Sequence, residues 1–236
     1  MTLDQTLRYD RVVDLAGNDS LAGIARLVLA GSSVLDLGAA TGALGRALSE
    51  GKGCVVDGVE MDAAAADRAR PAYRKLVVLD LESAKLDEHF QAGSYDAIVC
   101  ADVLEHLRSP GGVLAQLHAL LKPEGRVLIS VPNVGYAGII AGLMAGEFRY
   151  RPVGLLDSTH LRFFTRSGLL ELLHEHGFHA RTVLPLYVDV SNTEFRDHQI
   201  DALPPAVLRA LLAQPDALAY QFLIEALPGP GPAARV

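Results

Sequence analysis

A chain of 236 residues, half of them apolar and 21% charged, has the length to bury a full core and the profile of a globular enzyme. Its formal charge of -7 argues against nucleic acid or an anionic membrane as the main partner. Cys54 and Cys100 sit in strand-like runs and read as buried reduced thiols. With no basic-plus-apolar leader and no apolar run of transmembrane length, a cytoplasmic location away from membranes is expected.

Residues 2–30 read as helical, because Leu15, Leu21, Ile24, Leu27 and Val28 recur at roughly helical spacing behind Asp19 or Ser20 as N-cap. Residues 1–32 are therefore expected to cap the sheet that follows. Val34-Leu35-Asp36-Leu37 is a buried strand that runs into Gly38-Ala39-Ala40-Thr41-Gly42, and a helix over residues 43–49 follows. Small residues at such a bend let the backbone approach a ligand, and the helix start offers N–H groups to it. A second strand over 54–59 ends on Glu60, and Asp62 caps an alanine-rich helix. A third strand over 76–79 ends on Asp80.

The fourth strand is SYDAIVC, residues 94–100. Ser109-Pro110 marks a helix start, with the serine as N-cap, and Val113, Leu114, Leu117, Leu120 and Leu121 line one helix face. Lys122-Pro123-Glu124-Gly125 reads as a turn before a fifth strand over 126–131, closed by Pro132-Asn133. Five strands alternating with helices give a parallel, doubly wound α/β sheet with right-handed crossovers. Residues 134–168, rich in Gly and aromatics, are longer than a plain linker needs and are expected to form a lid over the substrate. A helix over 167–176 ended by Gly177, a sixth strand within 178–190, an inserted helix over 204–214 and a last strand over 217–226 complete the main domain, 33–228. The tail, 229–236, is expected to be disordered.

Ligands of open parallel sheets bind beyond the carboxyl ends of the strands. There this chain sets Gly38–Gly42, Glu60, Asp80-Leu81, residues 101–106 and Pro132-Asn133. Glu60, about twenty residues after the bend, is placed for ribose hydroxyls and Asp80 for an adenine amino group. An acidic pocket also suits a positively charged ligand. A dinucleotide dehydrogenase is the rival reading, but it needs G-x-G-x-x-G, whereas the glycines here are Gly38, Gly42 and Gly45.

Together VLDLGAATG (34–42), Val59-Glu60-Met61-Asp62, Leu79-Asp80-Leu81, YDAIVCADVLEHL (95–107) and LLKPEGRVLISV (120–131) resemble the class I, seven-stranded S-adenosylmethionine-dependent methyltransferases. The resemblance implies a mostly parallel sheet of order 3-2-1-4-5-7-6 with the last strand antiparallel, and S-adenosylmethionine as cofactor. It implies that Asp36, Gly38, Ala39, Ala40 and Gly42 hold the methionine end. Glu60 then takes the ribose beside Met61, and Asp80-Leu81 the adenine. Ala101 and Asp102 would touch the methionine side through their backbone. The middle glycine of the family's G-x-G-x-G is Ala40 here. VLEH (103–106) and LLDSTHLRFFT (155–165) are similar to the small-molecule type, such as the ubiquinone-pathway O-methyltransferases and enzymes of sugars or natural products. That implies methyl transfer to oxygen, or less readily nitrogen, of a small-molecule acceptor.

Each polar candidate has a bland alternative. Asp36 could cap local backbone or meet the ligand's ammonium, and His106 could bond backbone or accept a proton. His160 lies three residues after Asp157, so a helical turn would let Asp157 orient its imidazole for an acceptor hydroxyl. His160 is the first catalytic candidate, His106 the second, and Asp157 their orienter. His174, His176 and His179 face different ways and read as solvated surface rather than a metal cluster. No metal set stands out, although Asp102, Glu105 and Asp157 could assist a divalent ion. Phe163 and Phe164 read as lid core. A cofactor-binding regulatory subunit without turnover remains the non-enzymatic alternative, and a homodimer stays open.

Overall fold

The computed structural model describes residues 12–196, 200 and 203–229. The expected helix over 2–11 and the tail over 230–236 lie outside them. β1 (Ser33–Leu37) alternates within a buried sheet: Leu35 and Leu37 enter one apolar layer, while Val34 enters the other, where Asp36 meets Tyr73. It pairs in parallel with β2 (Val55–Glu60) on one side and β4 (Tyr95–Ala101) on the other. β3 (Lys75–Val78) flanks β2, and β5 (Leu121–Pro132) flanks β4. β7 (Gln221–Pro228) inserts antiparallel between β5 and β6 (Phe178–Leu186), giving the order 3-2-1-4-5-7-6. The doubly wound sheet with its reversed last strand is thus as expected.

Helices cover both faces. α1 (Ser20–Leu27), α2 (Ala43–Lys52) and α3 (Ala63–Ala69) bury Ile24, Leu44, Leu48 and Ala66 against Val34, Val56, Val99 and Leu128. On the opposite face α4 (Pro110–Leu120) and α6 (Arg166–Glu175) bury Leu114, Leu117, Leu169 and Leu173 against Leu35, Ile98, Val127 and Ile129. α5 (Ala137–Met144) and α7 (Pro205–Leu212) form a smaller layer around Ala137, Leu211 and Ala217. Among the described residues no helix is long and apolar enough to cross a membrane.

Four local expectations change. The N-terminal helix does not run through residues 12–18; it starts at Ser20, where Asp19 accepts the amide of Ala22 and so ends the preceding loop. Ser109 makes no side-chain cap for α4; instead Glu82 accepts the amides of Arg108 and Ser109 at 2.7 and 2.9 Å. Lys122–Gly125 is no separate turn, because it bulges within β5 between the pairs Tyr95–Leu121 and Ala97–Arg126. The last strand starts at Gln221, since Asn133 gives its side-chain amide to the carbonyls of Asp216 and Ala219 and holds that approach as a turn.

The alanines of α3 have a packing reason. A Cβ on Gly42, whose φ is 84°, would lie 2.8 Å from the Cα of Ala69. Only small residues on both sides let this helix sit against the bend after β1.

Candidate active site

The chain runs outward from β1 to β3, then returns to β4, so a crevice opens above β1 and β4 where the order reverses. Its floor is the bend after β1. Gly38, Ala40 and Gly42 have φ of 79°, 46° and 84°. For Ala40 this left-handed backbone costs roughly 1–2 kcal/mol. Glu60 offsets the strain: its Oε2 accepts the Ala40 amide at 2.7 Å, and its Oε1 accepts the Asp62 amide at 2.8 Å. Each oxygen keeps a lone pair for a further donor. Met61, beside it, is 65% exposed, and Leu81 is buried after β3 next to exposed Asp80.

Asp36 is buried beneath the bend and accepts the Tyr73 hydroxyl at 2.6 Å. Burial pushes its carboxyl up to about 6, the tyrosine bond opposes this, and the charge of Glu60 adds to it. The same burial, together with the neighbouring Asp36, holds the Tyr73 hydroxyl well above its ordinary value. Asp102, at the tip of β4, has φ of 54° and is held by three side-chain donors: Ser20 at 2.8 Å, Ser130 at 2.6 Å and Gln221 at 3.0 Å. Such over-determination is what keeps a strained residue in place. Carboxylates thus stand at the tips of β1, β2 and β4, acceptors of the kind that a ligand bearing an ammonium group requires.

This geometry has a pH signature with opposite signs in two measurements. Asp36 has a raised acid, so its ionisation costs the ligand-free fold about 3 kcal/mol, lost progressively between pH 4 and pH 6 and constant above. Binding of a cation needs the ionised form. Calorimetry should therefore show S-adenosylmethionine affinity rising about tenfold per pH unit up to pH 6 and flat above it, with Asp36→Asn abolishing the slope. An unchanged slope in that variant would remove Asp36 from the ligand's surroundings.

Next to this half of the crevice, a 3-10 turn, Leu104–His106, follows β4 and brings Glu105 and His106 against His160. The two imidazoles meet edge to face, with centroids 4.8 Å apart, and Phe163 lies 6.4 Å beyond His160. Residues 155–162 are tied down here, because the amides of Leu161 and Arg162 both donate to the carbonyl of Glu105, at 2.8 and 2.9 Å. Asp157 does not orient His160 as expected. Its carboxylate is taken by the amide and hydroxyl of Thr159, both at 2.8 Å, while the Nδ1 of His160 bonds the carbonyl of Leu155 at 3.1 Å. No helical turn forms: a single hydrogen-bonded turn joins the backbones of the two residues, at 3.0 Å, after Asp157 pairs with Arg151 in a β-bridge.

Hydrogen-bond logic assigns both tautomers. The Leu155 carbonyl only accepts, so His160 Nδ1 carries the proton. The Thr159 hydroxyl spends its proton on Asp157 and therefore accepts from His106 Nδ1 at 3.1 Å. Each imidazole thus has an Nε2 lone pair to offer. Burial lowers both histidines below their ordinary value, and for His106 the neighbouring His160 adds to this. Glu105 is fully enclosed, and burial followed by the charge of Asp102 raises its carboxyl well above the carboxylate range. Tyr73 carries no motif that marks it in the sequence; Thr159 lies within LLDSTHLRFFT and Glu105 within VLEH, but neither stretch shows by itself that they meet the histidines. His118 bonds the carbonyl of His176, and His176 packs against Gly111, well apart from this cluster.

A family model for a methyltransferase domain matches residues 13–183. The ubiquinone biosynthesis O-methyltransferase of Erwinia tasmaniensis is 30% identical over 173 residues, which span 71% of this chain and 70% of the relative. Its counterpart from Aeromonas salmonicida is 25% identical over 193 residues, 80% of this chain and 76% of the relative. In fold, the chain is similar to an S-adenosylmethionine-dependent methyltransferase from Mesorhizobium loti, at a TM-score of 0.60 and 20% identity, covering 90% of this chain and 99% of that one. With the strand order, the acid-tipped crevice and a family match over most of its length, the chain belongs to the class I S-adenosylmethionine-dependent methyltransferases.

Proposed function

We propose that this enzyme methylates a hydroxyl oxygen of a small molecule, a sugar, a quinol-like phenol or a natural-product intermediate, and that the His106–His160 pair receives the acceptor. The observation that carries this reading is the pair itself: two neutral imidazoles side by side, each with Nδ1 pinned and Nε2 offered, next to the acid-tipped crevice. The names of the two relatives, both O-methyltransferases, agree with oxygen as the acceptor atom.

Bound S-adenosylmethionine supplies a methyl group already activated by its positive sulfur. What remains for the chain is alignment, worth up to ~7–11 kcal/mol in ideal cases, and exclusion of water. Glu60, Met61, Asp80 and Leu81 are assigned the adenosine part; Asp36, residues 38–42, Ala101 and Asp102 are assigned the methionine part. Residues 134–168 serve as the lid, with Phe163 against the acceptor. His160 Nε2 takes the hydroxyl proton, and His106 is second in line; a positioned base contributes roughly 10²–10⁴-fold. Asp157 acts on His106 through Thr159 as a positioning residue. The same reading places the enzyme in the cytoplasm.

A panel of hydroxylated and aminated small molecules, followed by release of S-adenosylhomocysteine, tests the proposal. Turnover confined to hydroxyl acceptors is expected. Turnover of amines alone would replace oxygen by nitrogen as the target.

A further inference from the structure

We propose that Glu194, in the connection between β6 and α7, is a positioning residue for methyl transfer: it fixes Leu155, whose carbonyl in turn sets the tautomer and aim of His160. The proposal rests on the reading of His160 as proton acceptor given above.

Leu155 is the junction. It is buried, and both of its backbone polar groups meet a side chain: its amide donates to Glu194 Oε1 at 2.6 Å, and its carbonyl accepts from His160 Nδ1 at 3.1 Å. The second bond is the one that leaves Nε2 of His160 with its lone pair. The first joins residues 39 positions apart, and a hydrogen bond to a carboxylate is roughly twice as strong as one between neutral groups.

Residues 151–158 close on themselves, with the amide of Arg151 on the Leu156 carbonyl and that of Ser158 on the Arg151 carbonyl, both at 2.8 Å. Glu194 ties this closed loop to the sheet. Its Oε2 accepts the hydroxyl of Tyr220 at 2.7 Å, and Tyr220, just before β7, donates its amide to Leu186 of β6 and accepts the amide of Asn133 after β5. Burial, then the charge of Glu194, holds the Tyr220 hydroxyl well above its ordinary value, so it stays a donor.

Glu194 is itself held on both sides. Thr193 and Phe195 are buried; the Thr193 hydroxyl donates to the Val190 carbonyl at 2.8 Å, and the Phe195 ring meets Tyr136 with centroids 5.5 Å apart. Across the contact Gly154 has φ of 98°, and a Cβ there would collide with Glu194 Oε1. Each imidazole of the pair thus has a carboxylate one step behind it: Asp157 through Thr159 for His106, and Glu194 through Leu155 for His160.

The test is long-range proton–nitrogen NMR of the full chain carrying isotope-labelled histidine, bound to S-adenosylhomocysteine, with His160→Asn identifying the His160 signals by their loss. The wild type is expected to show a single Nδ1–H form and Glu194→Ala a mixture of tautomers. Glu194→Gln restores the single form, because its amide oxygen can take the Leu155 N–H while its NH₂ meets the Tyr220 oxygen. On a hydroxyl acceptor from the panel, kcat should fall by up to about 100-fold in Glu194→Ala with KM unchanged. It should fall no further when Glu194→Ala is added to His160→Asn. S-adenosylhomocysteine affinity equal to wild type reports that each variant is folded. Should Glu194→Ala lose it, Glu194→Asp, whose carboxylate falls one methylene short of the Leu155 amide, takes its place with the same expectations. A His160 that stays wholly in the Nδ1–H form in the truncated variant, or a kcat loss that adds to that of His160→Asn, overturns the proposal and spares the role of His160. An Nε2–H form in the wild type overturns the reading of His160 as the base, and this role of Glu194 with it.

Discussion

Replacing Glu60 by Ala is expected to weaken S-adenosylhomocysteine binding by roughly 10²–10⁴-fold, from two lost charge-assisted hydrogen bonds of about 1.5–3 kcal/mol each. The carboxylate holds the amides of Ala40 and Asp62, so its loss acts in two ways. It removes the acceptor assigned to the ribose hydroxyls, and it frees Ala40 to leave the left-handed backbone that shapes the bend. Glu60→Gln separates the two effects. The amide keeps one oxygen for an N–H but turns an NH₂ group toward the other donor, so binding should fall between the wild type and the alanine variant. Calorimetry reads both. Affinity within about threefold of wild type for the folded Ala variant would take Glu60 out of the site, because even one such bond exceeds that difference.

Replacing His160 by Ala should lower kcat by roughly 10²–10⁴-fold, the range for a positioned proton acceptor, while S-adenosylhomocysteine affinity stays nearly constant. The substitution also strips the Leu155 carbonyl of its partner, so it tests fold and chemistry together. His160→Asn resolves this. Its side-chain NH₂ can donate to that carbonyl in place of Nδ1, but it offers no basic nitrogen where Nε2 stood. If Asn restores stability and not turnover, the imidazole acts in the reaction. If Asn restores turnover, His160 only anchors residues 155–162. His106→Ala, by contrast, removes a half-buried ring and should cost less, because Asp157 and Thr159 keep each other satisfied without it.

How far the chain could be read in advance depended on the range of the interactions involved. The strands and their covering helices were legible because burial on both faces writes itself into short apolar runs such as Val34–Leu37 and Val127–Val131, and amphipathic spacing writes itself into residues 113–121. The acid at each strand tip was legible for the same reason, since it falls where an apolar run stops. The inserted order of β7 came only through the family likeness, because antiparallel entry between two strands leaves no local mark.

Residue type and spacing thus determined by themselves the α/β class, the bend after β1 and the set of acids that a charged adenosyl ligand would meet. Only tertiary structure decided that His106 and His160 stand edge to face, that Leu155 rather than Asp157 orients His160, and that Glu105 is sealed in without a partner. It also decided that Asn133 braces a turn and that Tyr73 reaches Asp36. The physical reason is distance along the chain: each of these pairs except Leu155–His160 joins residues tens of positions apart. Their meeting depends on how helices and loops settle on the sheet, not on the propensity of any one segment.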